Sequence, residues 1–273
     1  KSYDKIRLEK DSELRKYIEL VNPLGEDFSS MRTTLISNMM ELLARNLNRS
    51  VEEVFAFEIG NIFIPKELPV KELPIEKKTL CLGFYGKEDF YYLKETVDTL
   101  LKRLGIFNVE YVREENNPTF HPGRTANLLV DGQVLGTIGE IHMDVCENYH
   151  INRRVYIGQL DFEQIINLAD FEKTYKPLPK YPSTSRDIAI VVDEDVMVGQ
   201  VEKIILNHGK DLIEDIQLFD IYRGDQIPAD KKSLAFSIVY RSYERTLKDK
   251  EVNKIQEAII KDLEDNLNAK LRS

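Results

Sequence analysis

The sequence predicts an α+β protein in two parts. Three observations carry this reading. Short apolar segments are separated by turn signals such as Asp131-Gly132, which mark antiparallel hairpins. Longer segments place apolar residues at helical spacing, as in Met31, Leu35, Met39, Leu42, Leu43 and Leu47. The run Tyr175-Lys-Pro-Leu-Pro-Lys-Tyr-Pro-Ser183, with three prolines, forbids regular structure and divides a part spanning 1–175 from one spanning 176–273.

A chain of 273 residues is comfortable for two domains, and 42% apolar with 31% charged residues is an ordinary globular composition. No apolar run approaches the ~20 residues of a membrane span, and no charged-then-apolar signal segment opens the chain. Cys81 and Cys146 stand alone, which gives neither a disulfide framework nor a zinc site and fits a reducing, cytoplasmic setting. The opening Lys1-Ser-Tyr-Asp has no start methionine, so the chain is expected to be a piece of a longer protein.

In chain order, residues 2–20 read as a polar helix and then a short strand at 17–21. Asn22-Pro-Leu-Gly25 is a turn, after which Ser29 or Ser30 caps a helix running to about Asn48. A strand or bent hairpin follows at 55–64, then a linker with three prolines, then a buried strand at 79–85. Asp89 caps a helix whose apolar face is Leu93, Val97, Leu100, Leu101 and Leu104, with Gly105 as its stop. A strand at 107–112, the Asp131-Gly132 hairpin and a strand at 156–162 complete an antiparallel sheet with helices.

The second part reads as strand 186–192, helix 196–208, strands 213–222 and 233–241, helix 249–263 and a short strand 269–272. That βαββαβ order is the ferredoxin-like split motif, with helices on one face of the sheet and the other face free to stay open. Period-two alternation assigns the faces. Leu234, Phe236, Ile238 and Tyr240 go in, as do Ile188, Ile190, Val192, Phe219 and Ile221. The open face then carries Ala189, Ala235, Ser237, Asp220, Tyr222 and Arg241. Small residues leave room for a flat ring; Tyr222 can stack on a base, Asp220 can accept from a base edge, and Arg241 can meet a phosphate. The same face also reads as a plain half-polar sheet surface.

Charge singles out the same region. Between Lys231 and Lys250 six basic residues face two acids, a local net of +4 in a chain of formal net −9. An acidic total argues against indiscriminate nucleic-acid binding, though not against a local patch. Enzyme motifs are missing: there is no Gly-x-Ser-x-Gly, P-loop or Gly-x-Gly-x-x-Gly. His121, His142, His150 and His208 show no metal-ligand spacing, His121 reading as a turn residue and His142 as a structural strand end. No catalytic residue and no metal ligand is assigned.

Several motifs in fixed order resemble the β subunit of bacterial phenylalanyl-tRNA synthetase. In the first part they are Asn22-Pro-Leu-Gly-Glu-Asp-Phe-Ser-Ser-Met-Arg-Thr-Thr-Leu35, Ala44-Arg-Asn-Leu-Asn-Arg49, Phe57-Glu-Ile-Gly60 and His121-Pro-Gly-Arg124. In the second they are Pro179-Lys-Tyr-Pro-Ser-Thr-Ser-Arg-Asp187, Phe219-Asp-Ile-Tyr-Arg-Gly224, Lys231-Lys-Ser-Leu-Ala-Phe236 and Arg245-Thr-Leu-Lys-Asp-Lys-Glu-Val252. The resemblance implies a non-catalytic class II synthetase-like module over 1–175 and a ferredoxin-fold anticodon-binding domain over 176–273. It implies an (αβ)2 heterotetramer with a catalytic α subunit that charges tRNA(Phe) using ATP and Mg2+, with no cofactor in this portion and no membrane or DNA partner. It carries Ala189, Asp220, Tyr222, Ser237 and Arg241 forward as RNA-binding residues.

Catalytic class II domains clamp ATP through arginines that this chain lacks. The comparable strand reads Phe55-Ala-Phe-Glu58, and Gly136-Thr-Ile-Gly-Glu-Ile-His142 ends in His. Met143 also stands where the family usually has Pro after Gly-Glu-Ile-His. Two other readings stay open: a ferredoxin-like small-molecule regulatory module, for which the acidic Val192-Asp-Glu-Asp-Val-Met-Val198 is an unfavourable loop, and a single-chain catalytic synthetase, which the missing arginines disfavour.

Overall fold

The computed structural model describes residues 2–25, 29–172, 175, 177–224 and 226–272. The chain folds into two compact units, Lys1–Lys173 and Thr174–Ser273. Residues 173, 174 and 176, beside the boundary that the prolines predict, lie outside the described residues.

The first unit holds α1 (Ser2–Lys5), α2 (Ile36–Leu47), β1 (Val54–Ile64), β2 (Ile75–Tyr85), α3 (Phe90–Arg103), β3 (Val109–Arg113), β4 (Phe120–Val130), β5 (Gln133–Ile141), α4 (Met143–Asn148), β6 (Tyr156–Asp161) and α5 (Phe162–Leu168). Its six-stranded sheet runs β1-β2-β6-β5-β4-β3, every neighbouring pair antiparallel. Alternation along each strand feeds two cores. Cys81, Tyr85 and Ile157 meet α1 and α2 on one face, while Leu80, Phe84, Tyr156 and Leu160 meet α3 and α5 on the other. Asp89 caps α3 by accepting from the Tyr91 and Tyr92 amides, and Gly105 at φ +79° follows the helix as expected. The Asp131-Gly132 turn joins β4 to β5 with both residues at positive φ.

Three expectations for this unit fail. The opening helix lasts one turn, because Arg7 adopts positive φ (59°), and 17–21 forms only an isolated bridge, Glu19 with Ser30. The second helix begins at Ile36 rather than after Ser29 or Ser30. The intervening backbone is drawn into strand-like pairing instead: Met31 N donates to the Ile18 carbonyl, and the Arg32 carbonyl accepts from Phe63 N. On that helix Met39, Met40 and Leu43 are buried while Leu42 is exposed, which turns the apolar stripe by one residue.

The second unit holds β7 (Thr184–Asp193), α6 (Val198–Gly209), β8 (Ile213–Tyr222), β9 (Lys231–Tyr240), α7 (Asp249–Leu267) and β10 (Lys270–Leu271). The strand order β10-β7-β9-β8, antiparallel throughout, is that of a ferredoxin-like sheet. Both helices pack on one face. Ile188, Ile190, Val192, Leu234, Phe236, Ile238 and Tyr240 meet Val201, Ile205, Val252, Ile259 and Leu263 in one core. A bulge between Leu218 and Asp220 alters β8. Ile216 and Leu218 face the core, but Phe219 is the unpaired extra residue and stays 55% exposed, and Ile221 stays 41% exposed. The expectation that Phe219 would be buried therefore fails at the bulge, whereas Ile221 pairs with Leu234 on the helix side, as expected, yet stays exposed at the sheet edge.

The N-terminus of α7 is held by a carboxylate. Glu251 accepts from Lys248 N (3.1 Å) and from both terminal nitrogens of Arg245 (2.7 Å each). Those contacts, the Arg245 one foremost, bring its carboxyl from an ordinary 4.5 down to about 2. A depressed folded-state value stabilises the fold above about pH 4.5 and loses that stabilisation as pH falls toward about 2. Thermal melts of wild type and Glu251→Gln should therefore differ at neutral pH and converge across that acid window. Phe236→Ala, which empties the centre of the second core, should cost about 3–5 kcal/mol in denaturant titrations that follow this unit.

Candidate functional site

The helix-free face of the second sheet is built in cross-strand rows. One row runs Ala189, Ala235, Asp220 through successive register pairs. The next same-face row, about 7 Å along the strands, is Val191, Ser233, Tyr222. On the other side lies Asp187, Ser237, Gln217. Four of the five residues picked from sequence thus fall within three adjacent rows. The two alanines make a flat floor, with the exposed Asp220 at one end and the half-buried Tyr222 ring beside it.

Tyr222 is held from two sides. A Cβ on Gly224 would stand 2.5 Å from its hydroxyl oxygen and 2.7 Å from Cζ, so the glycine is what lets the ring lie back against the following turn. On the ring's surface lies the guanidinium of Arg272, its central carbon 4.7 Å from the centroid. Sequence reading missed Arg272 as anything more than the end of the last strand. The available signal was its position one residue beyond a strand that pairs with the Ala189 strand.

Arg241 does not join this group. It lies four residues past Ser237, roughly 13 Å along the strand. Its Nε donates to both Glu214 oxygens (2.8 Å each) and its Nη1 to the Tyr181 carbonyl (2.7 Å). The expected phosphate ligand is instead a brace between the entry to β7 and the start of β8. Three other cations of the basic run are similarly engaged. Lys231 pairs with Asp193, Lys232 donates to the Glu194 carbonyl (2.7 Å), and Arg245 pairs with Glu251. Arg223 forks onto Glu194 and holds its carboxyl below the usual carboxylate range. Three of the six cations in that run, Lys231, Arg241 and Arg245, are thus paired with acids outside it, at positions 193, 214 and 251. Lys231 and Arg223 thereby pair with two acids of the 193–195 turn, Asp193 and Glu194.

In the first unit the motif residues serve the fold. Arg32 Nη1 donates to Glu58 (2.6 Å) and Nε to the Asn61 carbonyl (2.9 Å), and a side chain at Gly60 would run into that guanidinium. Arg124 donates to both oxygens of the buried Glu140 (2.9 and 3.0 Å). His121 Nδ1 accepts from Gly123 N (3.0 Å) within the irregular start of β4, and His142 Nδ1 caps α4 by accepting from Asp144 N (3.2 Å). Among the described residues no three His, Cys, Asp or Glu side chains gather as metal ligands would. No described helix is long and apolar enough to cross a membrane. A separate feature is the outer face of edge strand β1, where Phe55, Phe57 and Ile59 are exposed, Phe57 by 70%. Phe55 lies 5.4 Å from Phe84 and 5.2 Å from Tyr92, so the patch continues the α3 core outward.

Known proteins resemble the chain along its whole length. The family model described as phenylalanyl tRNA synthetase beta chain CLM domain matches residues 1–162, and the one described as ferredoxin-fold anticodon binding domain matches residues 179–272. The phenylalanine–tRNA ligase beta subunit of Clostridium acetobutylicum is 45% identical over 272 residues, covering 100% of this chain and 34% of that protein. The same subunit of Clostridium tetani is 47% identical over 272 residues, with the same coverage. The chain thus spans about a third of the length of the curated relatives it matches. A crystal structure of pyrrolysyl-tRNA synthetase from Desulfitobacterium hafniense aligns with a TM-score of 0.48 at 19% identity, over 60% of this chain and 57% of that one. With a model of the β-chain CLM domain matching residues 1–162 and an anticodon-binding-domain model matching 179–272, the chain belongs to the phenylalanyl-tRNA synthetase β-chain family.

Proposed function

We propose that this chain is the C-terminal part of the β subunit of a cytoplasmic phenylalanine–tRNA ligase. Residues 1–175 form a non-catalytic, class II synthetase-like module that supports the catalytic α subunit within an (αβ)2 assembly. Residues 176–273 bind the anticodon region of tRNA(Phe). One observation carries the RNA reading: a helix-free sheet face with an alanine floor, an aromatic ring and an exposed carboxylate within adjacent rows. A base stacked on Tyr222 lies over Ala235 and presents its edge to Asp220, while Ser237 offers a hydroxyl one row away. ATP and Mg2+ act at the α subunit. In this chain the motif guanidiniums Arg32 and Arg124 are already committed to Glu58 and Glu140, so they offer no clamp for a triphosphate.

The apolar outer face of β1 is the proposed α-facing surface. Edge strands with unpaired backbone and exposed aromatics are unstable as free surfaces and are normally covered. Phe57→Asp should abolish co-purification of this chain with the α subunit while leaving its circular dichroism unchanged. Intact co-purification would assign that strand to other regions of the β subunit.

For the RNA face, Tyr222→Ala should weaken binding of a labelled tRNA(Phe) anticodon stem-loop by about 1–3 kcal/mol in an anisotropy titration. Ala235→Leu, which fills the floor, should weaken it comparably with the fold retained. Arg241→Ala should lower thermal stability and leave the salt dependence of binding unchanged, because that side chain serves Glu214. Wild-type affinity in both platform variants would remove the face from consideration.

A further inference from the structure

The central row of the open face extends one residue further than alternation revealed. Leu271 pairs with Ile190, and the next residue, Arg272, donates its backbone N–H to the Ala189 carbonyl at 2.8 Å. From edge to edge the row therefore reads Arg272, Ala189, Ala235, Asp220: a cation, two methyl groups and an acid. Arg272 starts on one edge of the sheet and Tyr222 on the other, three strand gaps or roughly 14 Å apart. Their side chains nevertheless meet across the sheet, with the guanidinium carbon 4.7 Å from the ring centroid. Nη2 of Arg272 also donates to Gln226 Oε1 (3.3 Å), in the turn that follows β8.

We propose that Arg272 is a further RNA-contacting residue of this face. It covers the stacking surface of Tyr222 in the free chain, yields it to a nucleobase, and turns its charge to a phosphate of the bound strand. This inference rests on the reading of the face as an RNA site. The exchange has a physical direction. Base stacking on an aromatic ring outweighs an exposed cation–π contact, so the base displaces the guanidinium. The displaced group is not lost to solvent, because the Arg272 backbone stays fixed to Ala189 and the side chain pivots from there. In the free chain the same contact keeps the Tyr222 ring from rotating and keeps water off its apolar surface. Planarity matters for lying on the ring and charge matters for the phosphate, so arginine supplies both parts where lysine supplies one.

The test uses the whole 273-residue chain and the labelled anticodon stem-loop, titrated at several salt concentrations. Arg272→Ala should weaken binding about 3–10-fold and lower the salt slope by roughly 0.7–1, the value of one phosphate contact. Arg272→Lys should keep the slope while recovering only part of the affinity. Unchanged or tighter binding by Arg272→Ala, with Tyr222→Ala still impaired, overturns the proposal and leaves Arg272 as an intramolecular cover. Weaker binding at an unchanged slope overturns the phosphate contact as well. If neither Tyr222→Ala nor Arg272→Ala alters binding, the RNA reading of the face fails, which is a different result from failure of Arg272 alone. Should Arg272→Ala melt early, Arg272→Gln keeps a polar, hydrogen-bonding side chain, though a shorter one, and removes the charge.

Discussion

The second unit depends on β9. This central strand buries Leu234, Phe236, Ile238 and Tyr240 completely on one side, where α6 and α7 cover them. Four large side chains at alternate positions fix the register, since a slip of one residue would turn all of them into solvent. The same register dictates the opposite face. Once Leu234 and Phe236 point inward, Ala235 must point outward between Ala189 and Asp220. The core therefore does more than stabilise the sheet: it sets the position of the small floor on which any flat ligand would rest.

Electrostatics gives this face its restraint. A run that reads as basic along the sequence is paired off in three dimensions, Lys231 with Asp193, Arg241 with Glu214 and Arg245 with Glu251. The exposed Arg245–Glu251 pair is worth little in stability, whereas Arg241–Glu214 is partly buried. Together these pairs weaken the field that attracted notice in the sequence. Of the cations described, Arg272 is distinctive because its side chain lies on an aromatic ring over the open face.

Much of this was legible in the residues themselves. The ferredoxin-like order, the inward set on β9, the Asp89 cap and the Asp131-Gly132 hairpin follow from period, cap chemistry and turn chemistry, which are local. What was not legible depended on distant partners. The late start of α2 comes from backbone pairing of Met31 with Ile18 and of Phe63 with Arg32. The exposure of Phe219 comes from a bulge, which strict alternation cannot anticipate. Arg241 looked available because Glu214, 27 positions away, carries no sequence mark of being its partner. Arg272 looked idle because a two-residue strand gives too short a pattern to assign its face.

An acidic chain of formal net −9 cannot draw RNA in by long-range attraction. With several of the nearby cations paired, the proposed RNA site on the open face would work at contact distance, through stacking on Tyr222 and edge recognition by Asp220. Such contacts discriminate between bases but supply modest affinity, because few phosphates are neutralised and few counterions released. A face of this kind is suited to checking a nucleotide that other surfaces have already delivered. On the proposal for Arg272, one charge held on the Tyr222 ring would be released where the strand arrives and would add nothing to indiscriminate attraction before that.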